Sequence, residues 1–217
     1  GGILKGQELI TSARVRNIAD QNSGIQAAYY GFIDRYRQVP GDMLADGPRG
    51  ACAVIGNDVP GCPGAGVEGD GNGRLNDEDF VEASVAWAHL AAAGFIQGSY
   101  EGNATGAGDY QLPEIAPINA FQGYVMLTRA DEYEGTGTSS RLMLVVGRNV
   151  PVNVMRELDL KIDDGTPETG VLRSTPADGG GLGDVAARTA ECTADSGGTQ
   201  IWDINGNEQD CNATFLY

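Results

Sequence analysis

Residues 1–40 read GGILKGQELITSARVRNIADQNSGIQAAYYGFIDRYRQVP, and this stretch decides the fold. Leu4, Thr11, Ile18, Ile25 and Phe32 recur every seventh residue. Glu8, Val15, Asn22, Tyr29 and Tyr36 form a second such series, offset by four. Positions three and four apart share a helix face, so the two series merge into one mostly apolar stripe. Lys5, Arg14, Arg16, Asp20, Gln26 and Arg35 lie on the opposite side. Val39 precedes Pro40, which disfavours helix at that point, and Gly41-Asp42 turns the chain away. The pattern predicts one amphipathic helix of about 36 residues, roughly 54 Å long at 1.5 Å per residue. That is about three times the usual globular helix of roughly 11–12 residues. A compact domain cannot cover all of it. Residues 22–38 are expected to pack on the domain's own sheet, and the N-terminal half against something outside the chain.

The remainder has a different texture. Gly accounts for 33 of 217 residues and is concentrated after residue 40, which predicts loops and turns there. Thirty acidic residues stand against 14 basic ones, a net charge of −16. Such a polyanion repels phosphate backbones, so no nucleic-acid partner is expected. It suits a soluble surface in calcium-rich surroundings. No apolar run reaches the roughly 18 residues of a membrane-spanning candidate.

Cys52, Cys62, Cys192 and Cys211 form no CxxC pair, and the chain has a single His, which argues against zinc. All four lie in Gly- and Asp-rich loop sequence. Two disulfides are expected, and with them a periplasmic or extracellular location. The alternative is four unpaired thiols in a cytosolic protein. Of the possible pairings the local ones, Cys52–Cys62 and Cys192–Cys211, are favoured. Each closes a short loop that has little regular structure to hold it.

Residues 41–75 read as loop. Asn76 reads as the N-cap of a second helix, with Asp77, Glu78 and Asp79 in a first turn where the helix dipole favours negative charge. This helix runs to about Ala93, buries Phe80, Ala83, Trp87, Leu90 and Ala91, and stops at Gly94. Residues 97–120 are loop again. Residues 121–129 and 141–148 read as strands joined through a turn at Gly135-Thr-Gly137. Leu142-Met-Leu-Val-Val146 is uniformly apolar and is expected at the centre of a sheet. Pro151 can start a short helix through about Lys161, with Val154 and Leu158 on one side, and Asp163-Asp164-Gly165 stops it. Residues 170–173 and 200–202 read as further short strands, and the last fifty residues otherwise as loop. The expected organisation is a helix over 1–40, a connector with the second helix over 41–120, and an antiparallel sheet with a disulfide-bounded end over 121–217. Together these make one α+β domain.

Several of these residues together resemble a known family. Gly1-Gly-Ile-Leu-Lys-Gly-Gln-Glu-Leu-Ile10, Ala28-Tyr-Tyr-Gly-Phe-Ile-Asp-Arg-Tyr36 and Val39-Pro-Gly-Asp42 resemble the distal half of a type IV pilin spine helix and the Pro-Gly-Asp turn that follows it. Gly69-Asp-Gly-Asn-Gly73, Trp87-Ala-His-Leu90 and Ala93-Gly-Phe-Ile-Gln-Gly98 are similar to the next stretches of that prepilin-type subgroup, and Lys161-Ile-Asp-Asp-Gly165 with Thr169-Gly170 to a third. The resemblance spans nearly the whole chain in the family's order. It implies a long helix packed on an antiparallel sheet, with a C-terminal disulfide loop on the outside. It also implies polymerisation with itself and other pilins through apolar N-terminal helices, and anchoring in the inner membrane before assembly. The family's leader peptide ending in Gly, the Phe after it and the apolar stretch with an early Glu are absent. They are expected upstream of Gly1.

Glu68-Gly-Asp-Gly-Asn-Gly-Arg-Leu-Asn-Asp-Glu-Asp79 fits the twelve-residue calcium loop of an EF-hand. Glu68, Asp70 and Asn72 fall at the first three ligand positions, and Gly73 at the sharp turn. Arg74 would offer its backbone carbonyl, Asn76 would act through a water, and Asp79 takes the last position. Glu in first place and Asp in last depart from the pattern and predict weak affinity, roughly 10⁻⁴–10⁻³ M. The competing reading is a Gly-rich turn with Asn76 capping a helix. Asp163-Asp164-Gly165 reads as a turn, with a cation as the alternative. His89 reads as a packed or surface residue, since no second His or nucleophile motif accompanies it. Asn103-Ala-Thr105 and Asn212-Ala-Thr214 match glycosylation sequons without further support.

The functional expectation is a structural subunit, major or minor, of a type IV pilus, and not an enzyme. The alternatives are a pseudopilin of a type II secretion machine and, in another class, a secreted calcium-dependent adhesion or binding module.

Overall fold

The computed structural model describes residues 2–44, 51, 52, 55, 56, 58–60, 62 and 69–217, and all their side chains except those of residues 2–5, 7 and 8. It is a mixed α+β fold in which a long N-terminal helix packs on an antiparallel sheet.

Helix α1 spans Gly2–Tyr36 and keeps the stripe: Val15, Ile18, Ile25, Tyr29 and Phe32 are buried, joined by Ala28. Packing begins at Val15, earlier than the expected residue 22. The cause is helix α4 (Val152–Ile162), which lies alongside this part of α1. Lys161 Nζ reaches Ser12 Oγ at 3.5 Å, and the last residue, Tyr217, donates its hydroxyl to Asn22 Oδ1 at 2.7 Å. Before Val15 no described side chain is buried; Leu9 and Ile10 are 72% and 57% exposed. Among the described residues no helix is long and apolar enough to cross a membrane.

Helix α2 (Phe80–Ala92) sits between α1, strand β1 (Met126–Ala130) and the single turn α3 (Ala107–Tyr110). Enclosed on these sides, it is buried all round from Glu82 to Leu90, whereas Phe80 and Ala91 are only half-buried. Its N-cap is Asp79, whose Oδ1 accepts the Glu82 N–H at 3.1 Å, and not Asn76. The Asn76 side chain is instead bound to Asp70 and Glu82. Gly94, at φ +78°, closes the helix as expected: its N–H returns to the Ala91 carbonyl and that of Phe95 to Leu90. Trp87 donates its indole N–H to the buried Tyr110 hydroxyl at 2.5 Å.

Four strands form the main sheet in the order β1-β2-β6-β3, with every neighbour antiparallel. These are β1, β2 (Arg141–Val145), β3 (Leu172–Ser174) and β6 (Ala213–Leu216). β2 is central, as its apolar run predicts. β1 and β2 are shorter than the 121–129 and 141–148 expected. Asn119 explains this: its Nδ2 bonds the carbonyls of Val146, Gly147 and Arg148, and its Oδ1 takes the N–H groups of Phe121 and Gly123. These side-chain bonds replace ladder pairing there. β6 lies in sequence expected to be loop, yet it pairs with two strands, Leu144 and Leu172 both standing opposite Phe215. Both outer strands are covered: Glu78 N–H bonds the Arg129 carbonyl on β1, and Ser174 on β3 bonds Pro167 and Glu134. A small hairpin, β4 (Thr193–Asp195) with β5 (Gln200–Trp202), docks on α4 through Trp202. Disulfides join Cys52 to Cys62 and Cys192 to Cys211. All four cysteines are buried in the core, contrary to the loop character of their surroundings in sequence.

Candidate cation cluster

The turn after α1 brings the first carboxylate. Gly41 takes φ +100°, and a Cβ there would lie 2.5 Å from both the Glu82 carbonyl oxygen and Leu75 Cδ2. Only glycine lets this turn press against α2. Asp42 then faces the loop 69–76: its Oδ1 accepts the Asn72 N–H at 3.1 Å and its Oδ2 the Gly73 N–H at 2.6 Å. Its carbonyl takes the Gly71 N–H at 3.1 Å, and Leu75, fully buried, pins the loop to the core.

Glu82, in the first turn of α2, reaches the same loop from below. Its Oε2 accepts the Asn76 N–H at 2.6 Å, and its Oε1 accepts the Asp70 N–H at 3.3 Å and Asn76 Nδ2 at 3.2 Å. Asp70, exposed, takes the side-chain amides of Asn72 and Asn76 at 2.9 and 3.0 Å. The ligand oxygens of Asp42, Asp70 and Glu82 lie within 4.8 Å of one another. Burial pushes Glu82 up to about 7 against the pull of its backbone N–H bonds. Burial likewise raises Asp42, while the Asn76 amide leads the bonds that hold Asp70 below the usual carboxylate range. Buried Glu82 and Asp42 therefore hold protons more tightly than isolated carboxylates, and a divalent cation at the cluster would displace them. Three carboxylates flanked by Asn oxygens are hard donors of the kind calcium and magnesium take.

The sequence-derived ligand set is only partly assembled. Asp70, Asn72 and Asn76 come together. Glu68 lies outside the described residues. Arg74 is exposed, its N–H bonded to Asn72 Oδ1 at 3.1 Å. Asp79 is occupied as the α2 cap. Asp42 and Glu82, which sequence reading passed over, take the central places. Their signals were a carboxylate fixed by Pro40-Gly41 and the single acidic residue inside the mostly apolar run Phe80–Leu90.

A second group, Glu78, Asp131 and Glu132, meets on the β1 side, where Glu132 Oε1 accepts the Gly181 N–H at 2.7 Å. Burial, then the Glu132 charge, raises Glu78. Asp163 and Asp164 behave as turn residues: Asp164 takes the Thr166 N–H at 2.8 Å and the Thr169 hydroxyl at 2.5 Å, and Asp163 takes the N–H groups of Val171 and Leu172. His89 is a strut. Its Nδ1 accepts the Gly41 N–H at 2.9 Å, so Nε2 carries the proton and donates to the Pro60 carbonyl. Its ring stacks on Phe32, and burial lowers its pKa to about 4. Asn212 is buried and donates to the Val185 carbonyl, so that sequon is closed in the folded chain, whereas Asn103 is exposed.

Comparison of the chain with protein-family models, curated proteins and solved structures found no match in any of the three.

Proposed function

We propose that this chain is the globular part of a type IV pilin-like subunit, a structural protein that works by polymerisation and surface display. One observation carries the reading: α1 outruns its own domain. From Val15 onward it is packed, but before Val15 it continues as helix with Leu9 and Ile10 bare. Apolar residues on an unsupported helix end call for neighbours of the same kind. The Pro-Gly-Asp turn that leaves the helix, the antiparallel sheet and the C-terminal disulfide loop are the parts the resemblance calls for. In this reading the partners are other copies and other pilins, with assembly from the inner membrane. A pseudopilin role shares all of these features.

The test is the coding sequence upstream of Gly1. A Gly-Phe junction followed by about 20 apolar residues with one early Glu supports the proposal. A conventional secretory signal ending close to Gly1 overturns it. A monomeric, secreted, calcium-dependent binding module then takes its place, a reading favoured by the carboxylates of Asp42, Asp70 and Glu82.

A further inference from the structure

The sequence contains two Asn-Gly pairs, Asn72-Gly73 and Asn205-Gly206, which are chemically alike and structurally opposite. We infer that Asn205-Gly206 is a site of spontaneous deamidation in the folded protein, and that Asp42 protects Asn72-Gly73 from the same reaction.

In an Asn-Gly pair the glycine's backbone nitrogen, losing its proton to solvent base, attacks the Asn Cγ. A C–N bond forms, the bond from Cγ to the side-chain nitrogen breaks, and ammonia leaves. Water then opens the resulting succinimide at either carbonyl, giving Asp or its isomer with the backbone routed through the side chain. No oxidant or enzyme is needed. The step requires a glycine nitrogen free to lose its proton and an Asn side chain free to turn.

Asn205 meets both conditions. It lies exposed in the turn 204–207, inside the Cys192–Cys211 loop. Neither its side chain nor the Gly206 N–H has a hydrogen-bond partner among the described residues. Asn72 meets neither. Its Oδ1 accepts the Arg74 N–H, and its Nδ2 donates to Asp70 and, at 2.6 Å, to Asn76. The Gly73 N–H that would have to ionise is held by the Asp42 carboxylate at 2.6 Å. A negative oxygen on that proton opposes its loss. Ring closure would also break the Asn72 side-chain bonds.

Each event at Asn205 adds one negative charge to an already anionic surface, and the disulfide keeps the altered loop tethered. The experiment is a time course of peptide mapping by mass spectrometry in mildly alkaline buffer. The disulfide-intact native protein is compared with protein reduced and held in denaturant. In denaturant both Asn residues should convert at similar rates. In the native protein Asn205 should keep converting while Asn72 slows at least about tenfold, the equivalent of one charge-assisted hydrogen bond. Equal native rates at the two sites, or protection of Asn205, overturn the inference. Asp42→Asn should speed conversion of Asn72 in the native protein and leave Asn205 unchanged; an unchanged Asn72 removes Asp42 as its protector. The native-against-denatured comparison stands even if that variant fails to fold.

Discussion

Asp159, on α4, accepts the indole N–H of Trp202, on β5, at 2.7 Å, and both residues are buried. This bond joins the C-terminal hairpin to the helix that runs beside α1. Burial pushes the Asp159 carboxyl up to about 6, above its value near 3.8 in an unfolded chain. A raised folded value favours folding of the protonated form. The contribution is therefore complete below 3.8 and is lost as pH rises through 6. Asp159→Asn keeps an acceptor for Trp202 without the charge. Its stability relative to the native chain should be most favourable at pH 7.5 and should shrink toward pH 4, read by urea unfolding across that range. Asp159→Ala leaves the indole N–H unpaired and should cost about 1–3 kcal/mol.

Glu82 acts with the same sign in a higher window. Its folded value of about 7 against 4.5 unfolded means that stability is lost as pH rises from 4.5 through 7. His89, lowered to about 4, acts the other way, its contribution being lost as pH falls from 6.5 through 4. The two overlap, so each must be measured as a difference between the native chain and a variant. A divalent cation at Asp42, Asp70 and Glu82 would replace the proton and stabilise the charged form. Millimolar calcium should then raise the melting temperature more at pH 7.5 than at pH 5, and Asp70→Ala should abolish the rise. No shift at either pH would leave the cluster as a purely protein-bonded loop.

The helices were legible where one periodicity had one cause. The heptad stripe of α1 needed only an apolar partner, and Gly94 and Pro151 mark boundaries through backbone geometry alone. β6 was not legible. Ala213–Leu216 is four residues long, too short for an alternation to register, and its place between β2 and β3 comes from contacts far away in sequence. The cation cluster was half legible for the same reason. Asp70, Asn72 and Asn76 share one loop, whereas Asp42 and Glu82 arrive from two other elements that only the fold brings together. The cap of α2 was misplaced because Asn76 and Asp79 are equally good candidates locally; the bond from Asn76 to Glu82 decides between them.

Removing Cys192–Cys211 should do more damage than removing Cys52–Cys62. The first closes a loop of sequence separation 19 and the second one of 10, a modest difference in chain entropy. The larger effect is positional. Cys211 exchanges backbone bonds with Val150 immediately before β6, so its disulfide fixes the entry of an inner strand of the sheet. Replacing both cysteines of that pair with Ser should cost about 2–5 kcal/mol. Amide exchange should speed up in β6 and in the β4–β5 hairpin while α2 is spared. Equal loss of protection in α2 would show that the effect is not local.

Gly41→Ala should be strongly destabilising although it adds one methyl group. The position has φ +100°, and the new Cβ would meet a backbone oxygen of α2 at 2.5 Å. A backbone oxygen cannot swing aside as a side chain can. The cost, from strain and displaced packing, should be about 1–3 kcal/mol or more. The Gly41 N–H bond to His89 would be disturbed as well. Chemical denaturation should show the loss, with the near-ultraviolet signal of Trp87 altered by movement of α2.

The two ends of α1 should respond to substitution in opposite ways. Ile18 is buried against the domain, so Ile18→Ala should lower stability by about 2–5 kcal/mol. Leu9 and Ile10 are mostly exposed, so Leu9→Ser with Ile10→Ser should change it by no more than about 0.5 kcal/mol. If α1 is the distal half of a spine helix, that double variant in the full-length product should impair filament assembly while leaving the domain's melting temperature intact. A neutral effect on both readouts would remove the exposed helix end from the assembly interface. A large stability loss would show instead that residues 9 and 10 pack within their own domain.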